Sequence, residues 1–99
     1  MQRCTLNDVL VVLGGKWAMP IIYTLRNGTM RFKELERNVS NINTRMLVKE
    51  LKNMEANGIL TRKVHASVPP MVEYTLTLKG EKLIPIIVEM LKWGDEYRV

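Results

Sequence analysis

The chain has 99 residues, 46% of them hydrophobic and 25% charged, with a formal charge of +5. That length suits one domain, and the composition excludes a disordered segment. No apolar run approaches the length needed to span a bilayer, and no signal-peptide core follows Met1 to Thr5, so a cytosolic protein with no membrane partner is expected. The basic surplus favours a polyanionic partner, although plain solubility also accounts for it, and many basic domains bind nothing anionic. With one cysteine, Cys4, and one histidine, His65, neither an intrachain disulfide nor a Cys/His metal cluster can form within the chain, and no metal or cofactor is expected.

Leu6, Val9, Leu10 and Leu13 recur at helical spacing, with Thr5 as the cap, Asp8 in the first turn and Gly14-Gly15 as the stop. A second helix runs from about Trp17 to Asn27-Gly28. It is apolar on all sides (Trp17, Met19, Ile21, Ile22, Tyr23, Leu25), as a central buried helix must be, and Pro20 is tolerable only near its first turn.

Between Met30 and Val39, the residues Phe32, Leu35 and Val39 share one face of a short helix. Ser40-Asn41-Ile42 interrupts it. A longer helix from Asn43 to Asn57 follows, with Leu47, Leu51 and Met54 as its inner stripe and Gly58 as its left-handed terminator, Ile59 supplying the apolar contact. Two helices joined by so short a turn, the second amphipathic and cationic, predict a helix-turn-helix over about residues 32–57.

Past Gly58 the period shortens. Residues 59–65 and 72–76 read as two antiparallel strands around the stiff loop 66–71, a wing over about 59–76 that must lean on the helices. Thr77 caps the last segment, about 77–97, which Pro85 leaves as one kinked helix or two short ones. Leu83, Ile86, Ile87, Met90, Leu91 and Trp93 there exceed what docking on so small a core requires. Such a stripe marks a protein interface, the alternative being that all of it packs within the chain.

These residues also carry a resemblance. Cys4 precedes Gly14-Gly15-Lys16-Trp17 by ten positions; Gly28, Arg31-Phe32-Lys33-Glu34-Leu35, Arg45-Met46-Leu47, Leu51 and Gly58 follow, then Pro69 to Thr77 (PPMVEYTLT), Gly80 and Trp93-Gly94. Over nearly the whole chain this ordered set closely resembles the HxlR-type winged helix-turn-helix regulators. The resemblance implies a single domain over 1–99, mainly α with a small antiparallel β hairpin. It also implies a homodimer formed through the first and last helices, on which Leu6, Val9, Leu10, Leu83, Ile87, Met90, Leu91 and Trp93 stand as interface residues. Control of a neighbouring gene in response to electrophiles, oxidants or other small signals is implied as well. Two departures are visible. Asn41 and Asn43 stand where relatives often carry a Gly before Ile-Ser, and asparagine accepts both a left-handed backbone and a capping role. Met71 replaces a wing cation.

In a helix-turn-helix the N-terminal part of the second helix meets base edges. Arg45, Val48, Lys49 and Lys52 point away from the inner stripe, and Thr44 lies in the first turn. Arg45 can grip guanine, Thr44 or Val48 can touch a thymine methyl, and Lys49 can serve bases or phosphates. Ser40, Asn41 and Asn43 are placed to meet phosphates, and Arg62, Lys63 and His65 bring charge along the wing. The plain alternative for each cation is a solvated surface charge. Cys4 has two readings: a thiol switch, as in relatives with a cysteine at the matching place, its thiolate favoured by Arg3 or a helix N-terminus, or a buried inert side chain.

Glu34, Glu36, Glu50 and Glu55 read as helix-surface charges, and neither a catalytic triad nor a phosphate-binding Gly-rich loop is present, so an enzyme is not expected. The expected function is a sequence-specific, duplex-DNA-binding regulator. The alternative is a winged-helix interaction module without sequence-specific DNA binding.

Overall fold

The computed structural model describes residues 3–98; Met1, Gln2 and Val99 lie outside the described residues. Helix α1 (Leu6–Leu13) opens with a capping box, in which the Thr5 side chain accepts from the Asp8 N–H at 3.1 Å and Asp8 accepts from the Thr5 N–H at 2.8 Å. The chain then turns through Gly14 and Gly15 into α2 (Ala18–Thr24), extended by a 3-10 turn, Leu25–Asn27. Ile21, Ile22 and Leu25 are fully buried there, the central position that an all-round apolar helix requires.

Met30–Arg31 is a short strand, β1, ahead of the helix that the spacing of Phe32, Leu35 and Val39 predicts. Two residues are too few to show a period, and the strand exists because it pairs antiparallel with a partner more than forty residues away, Met30 opposite Tyr74 and Arg31 opposite Glu73. Helix α3 (Phe32–Asn38) starts directly afterwards, with Glu34 Oε1 accepting from the Arg31 N–H at 3.0 Å.

Helix α4 (Thr44–Ala56) buries Leu47, Leu51 and Met54 against α2, α3 and the sheet, and opposes an exposed polar side. Its C-terminus is a Schellman turn: Gly58, at φ 71°, donates to the Glu55 carbonyl at 3.0 Å, and Ile59 donates to Met54 at 2.9 Å. Strands β2 (Leu60–His65) and β3 (Met71–Leu76) follow, so the sheet has three antiparallel strands in the order β1-β3-β2 rather than the two of a bare hairpin.

Pro85 resolves the C-terminal segment into two helices, α5 (Leu78–Glu81) and α6 (Ile84–Tyr97), with the proline in the first turn of α6 where its missing N–H costs nothing. Helix α5 is bolted to the end of α4. The Thr77 hydroxyl lies 2.6 Å from the Gly58 carbonyl and accepts from the Gly80 N–H at 3.1 Å, and Lys79 Nζ donates to the Asn57 carbonyl at 2.6 Å.

The core joins α2, α3, α4, the sheet and one residue of α6, Ile87. Ile87 is therefore a protomer core residue, which corrects its expected place in an interface; Leu83 is likewise largely packed against the core. Sequence could not separate Ile87 from its neighbour Ile86, and only the packing shows that Ile86 is the exposed one. Helix α1 has no fully buried residue; Val12 and Leu13 are partly buried against the core, Leu6, Val9, Leu10 and Val11 are exposed, and Ile86, Met90, Leu91, Trp93 and Tyr97 are exposed on α6.

Candidate nucleic-acid interface

The exposed side of α4 and the turn before it form one continuous polar surface. Asn41 adopts a left-handed backbone, φ 66°, which lets the chain reverse tightly between α3 and α4 without a glycine. Asn43 caps α4, its Oδ1 accepting from the Met46 N–H at 2.8 Å, so its amide N–H₂ remains able to donate outward. Ser40, Asn41, Asn43, Thr44, Arg45, Val48, Lys49 and Lys52 are all exposed, on a helix whose opposite stripe is locked in the core. These eight residues lie together, as expected from the sequence.

The wing residues do not lie together. Side chains alternate across a strand, and register places Arg62 opposite Tyr74 but Lys63 opposite Glu73. Arg62 shares the Tyr74 face and, with Lys52, lines a cleft of about 480 Å³ between the wing and α4, floored by Phe32, Val48 and Leu51. Arg62 thus extends the α4 surface. Lys63 stands on the other face of the sheet beside Glu73, with Arg31 across from the same glutamate on β1. His65 is half-buried and paired through Nε2 with Glu73, so it is not the free wing cation the sequence suggested.

Sequence reasoning missed a contact at the start of α4. Glu36, expected to be a solvated charge on α3, accepts a hydrogen bond from Thr44 Oγ1 at 2.5 Å. Their separation of eight residues crosses a turn and is too long for direct contact within one helix or strand, so no pattern in the sequence announces it.

Cys4 precedes the α1 cap and is free and exposed in the protomer. It borders a largely apolar hollow of about 260 Å³ lined by Val9, Val12, Leu13 and Leu83, with Asp8 and Lys79 at its edge. Among the described residues no group of His, Cys, Asp or Glu is placed to hold a metal ion, and no single helix is long and apolar enough to cross a membrane.

Three helices in helix-turn-helix order, backed by a three-stranded sheet whose hairpin flanks the second helix of the motif, define a winged helix-turn-helix protein. The HxlR-like helix-turn-helix profile matches residues 12–99, and the chain belongs to that family. The Bacillus subtilis HTH-type transcriptional regulator YkvN is 45% identical over 94 residues, covering 95% of this chain and 80% of that protein. A Porphyromonas gingivalis W83 protein described as a MarR-family transcriptional regulator superposes with a TM-score of 0.90 at 38% identity, over 97% of this chain and 94% of the other. The redox regulator HypR in its oxidised form superposes at 0.87 with 42% identity, over 94% and 96% of the two chains. This chain is a helix-turn-helix transcriptional regulator.

Proposed function

We propose that the chain is a cytoplasmic, homodimeric, non-enzymatic regulator that reads duplex DNA through α4 and responds to an oxidant through Cys4. The observation that carries the DNA reading is the uncovered outer side of α4, where Thr44, Arg45, Val48, Lys49 and Lys52 project together from a helix fixed by a fully buried stripe. A rigid scaffold beneath an exposed row of donors and methyl groups is what direct readout in the major groove requires. Ser40, Asn41 and the Asn43 amide meet the phosphates before the helix, Arg62 and Lys52 grip the backbone beyond it, and Lys63 does so only at the wing's outer face, where His65 is held by Glu73.

The dimer is supported by α1. An isolated eight-residue helix is marginal in water, and this one docks on its own protomer only through the partly buried Val12 and Leu13, so its remaining apolar side calls for a second surface to cover it. Leu6, Val9 and Leu10 on α1 with Met90, Leu91 and Trp93 on α6 supply that surface in each copy. Two recognition helices then meet half-sites about one DNA turn apart, roughly 34 Å.

Arg45 tests the base-reading claim. Selection from randomised duplexes with the wild-type chain defines its preferred sequence, and Arg45→Ala is expected to lose about 1–3 kcal/mol of discrimination at one base pair per half-site. An unchanged preference would remove Arg45 from readout.

The oxidant reading has its own test. The single thiol per chain can be joined only to a low-molecular-weight thiol or to the Cys4 of a second copy. Diamide treatment is expected to change affinity for the preferred duplex by about fivefold or more. Cys4→Ser should abolish that change while binding normally when reduced. Identical responses of the two proteins to diamide would remove Cys4 as the sensor.

A further inference from the structure

Thr44 is the first residue of α4, exposed at the end of the helix that approaches the bases, and its hydroxyl donates to Glu36 Oε2 at 2.5 Å. Within a helix, threonine divides between two rotamers because its hydroxyl can bond back to a carbonyl of the preceding turn. At the first helical position there is no preceding turn, and Asn43 before it is extended, at φ −91° and ψ 162°. The Glu36 carboxylate on α3 is therefore the partner that decides where Oγ1 sits, and a hydroxyl bonded to an ionised carboxylate is held about twice as strongly as one bonded to a neutral acceptor. Fixing Oγ1 also fixes the methyl group on the same carbon.

Glu36 is half-buried at the N-terminal end of α4, where the helix dipole favours an anion. In a surface built to meet phosphates, the same charge works against affinity that carries no sequence information. A carboxylate here weakens binding to any duplex while sharpening the presentation of one base-facing group.

The geometry points to Glu36 as a specificity-positioning residue: through its bond to Thr44 it sets the orientation in which the Thr44 methyl meets a thymine, and its charge suppresses indiscriminate binding. The inference deepens the base-reading function proposed above and rests on it. Glu36 itself touches no base in this scheme and acts through Thr44.

The test uses the full chain in selection from randomised duplexes, followed by direct titration of the preferred and of random duplex. Thr44→Ser keeps the hydroxyl and removes the methyl, so the base pair whose preference it loses is the one Thr44 reads. Glu36→Ala is expected to reduce discrimination at that same base pair by about fivefold or more and to tighten binding to random duplex. Glu36→Gln, which keeps an acceptor without the charge, should retain part of the preference that the alanine variant loses yet share the tightening. Equal melting midpoints for wild type and Glu36→Gln keep the comparison independent of folding. A Glu36→Ala profile identical to wild type overturns the inference, as does a Glu36→Gln protein that loses the preference as fully as the alanine variant. A wild-type chain with no preferred sequence overturns the base-reading function itself, and the inference with it.

Discussion

Replacing Leu10 and Trp93 together by glutamate is expected to leave the protomer folded, convert the protein to a monomer and weaken binding to a two-half-site duplex by about a hundredfold or more. Both side chains are about half exposed in the protomer, at 47% and 59%, so neither substitution buries a charge within one copy. Across an α1–α6 interface each would place an anion in an apolar contact, where an unpaired charge is strongly disfavoured. The loss in DNA affinity follows from linkage of two readers. While one recognition helix is docked, the second half-site is met at high effective concentration, and a monomer forfeits that advantage entirely. Sedimentation of the double variant, its circular dichroism and its affinity for a single half-site check the three parts separately. A monomer whose affinity for the full site is unchanged would detach dimerisation from DNA binding.

The largest effect on stability is expected at Gly80. A Cβ there would lie 2.2 Å from the Ile59 carbonyl oxygen and 3.1 Å from Leu76 Cδ2. The first of these is backbone, and it already accepts the Thr77 N–H at 3.0 Å. Gly80→Ala therefore forces α5 away from the β2 entrance and disturbs the Thr77 hydroxyl contacts to Gly58 and Ile59. Overpacking of this kind costs about 1–3 kcal/mol, and the loosened hydrogen bonds add to it. For a chain of this size a melting midpoint lower by about 10 °C or more is expected. Gly94, whose added Cβ meets nothing within 4 Å, is the control, and Gly94→Ala should leave the midpoint within a few degrees of wild type.

Much of this architecture can be read from residue spacing alone because its helices are punctuated by strong local signals. Gly14-Gly15, Gly58 and the Thr5, Asn43 and Thr77 caps act within a few residues of themselves, so local chemistry suffices to place them. The outer row of α4 is legible for the same reason, since Leu47, Leu51 and Met54 fix which side faces inward. What the sequence conceals depends on contacts between distant segments. Strand β1 is defined by Tyr74 and Glu73, not by its own two residues. That Arg62 and Lys63 diverge follows from strand alternation, but which of them turns toward α4 is decided by packing. Ile87 and Ile86 have equal hydrophobicity and opposite fates, and the Glu36–Thr44 bond spans a turn whose geometry depends on the left-handed Asn41.

Sequence reading by α4 is tested by titrating the reduced, wild-type chain against the duplex upstream of its own gene and its neighbours and against random duplex, at several salt concentrations. Binding to one upstream duplex is expected to be about a thousandfold or more tighter than to random duplex, with both affinities falling steeply as salt rises. Equal affinity for upstream and random duplexes at every salt concentration would contradict it, and would leave the winged helix as a surface for protein partners.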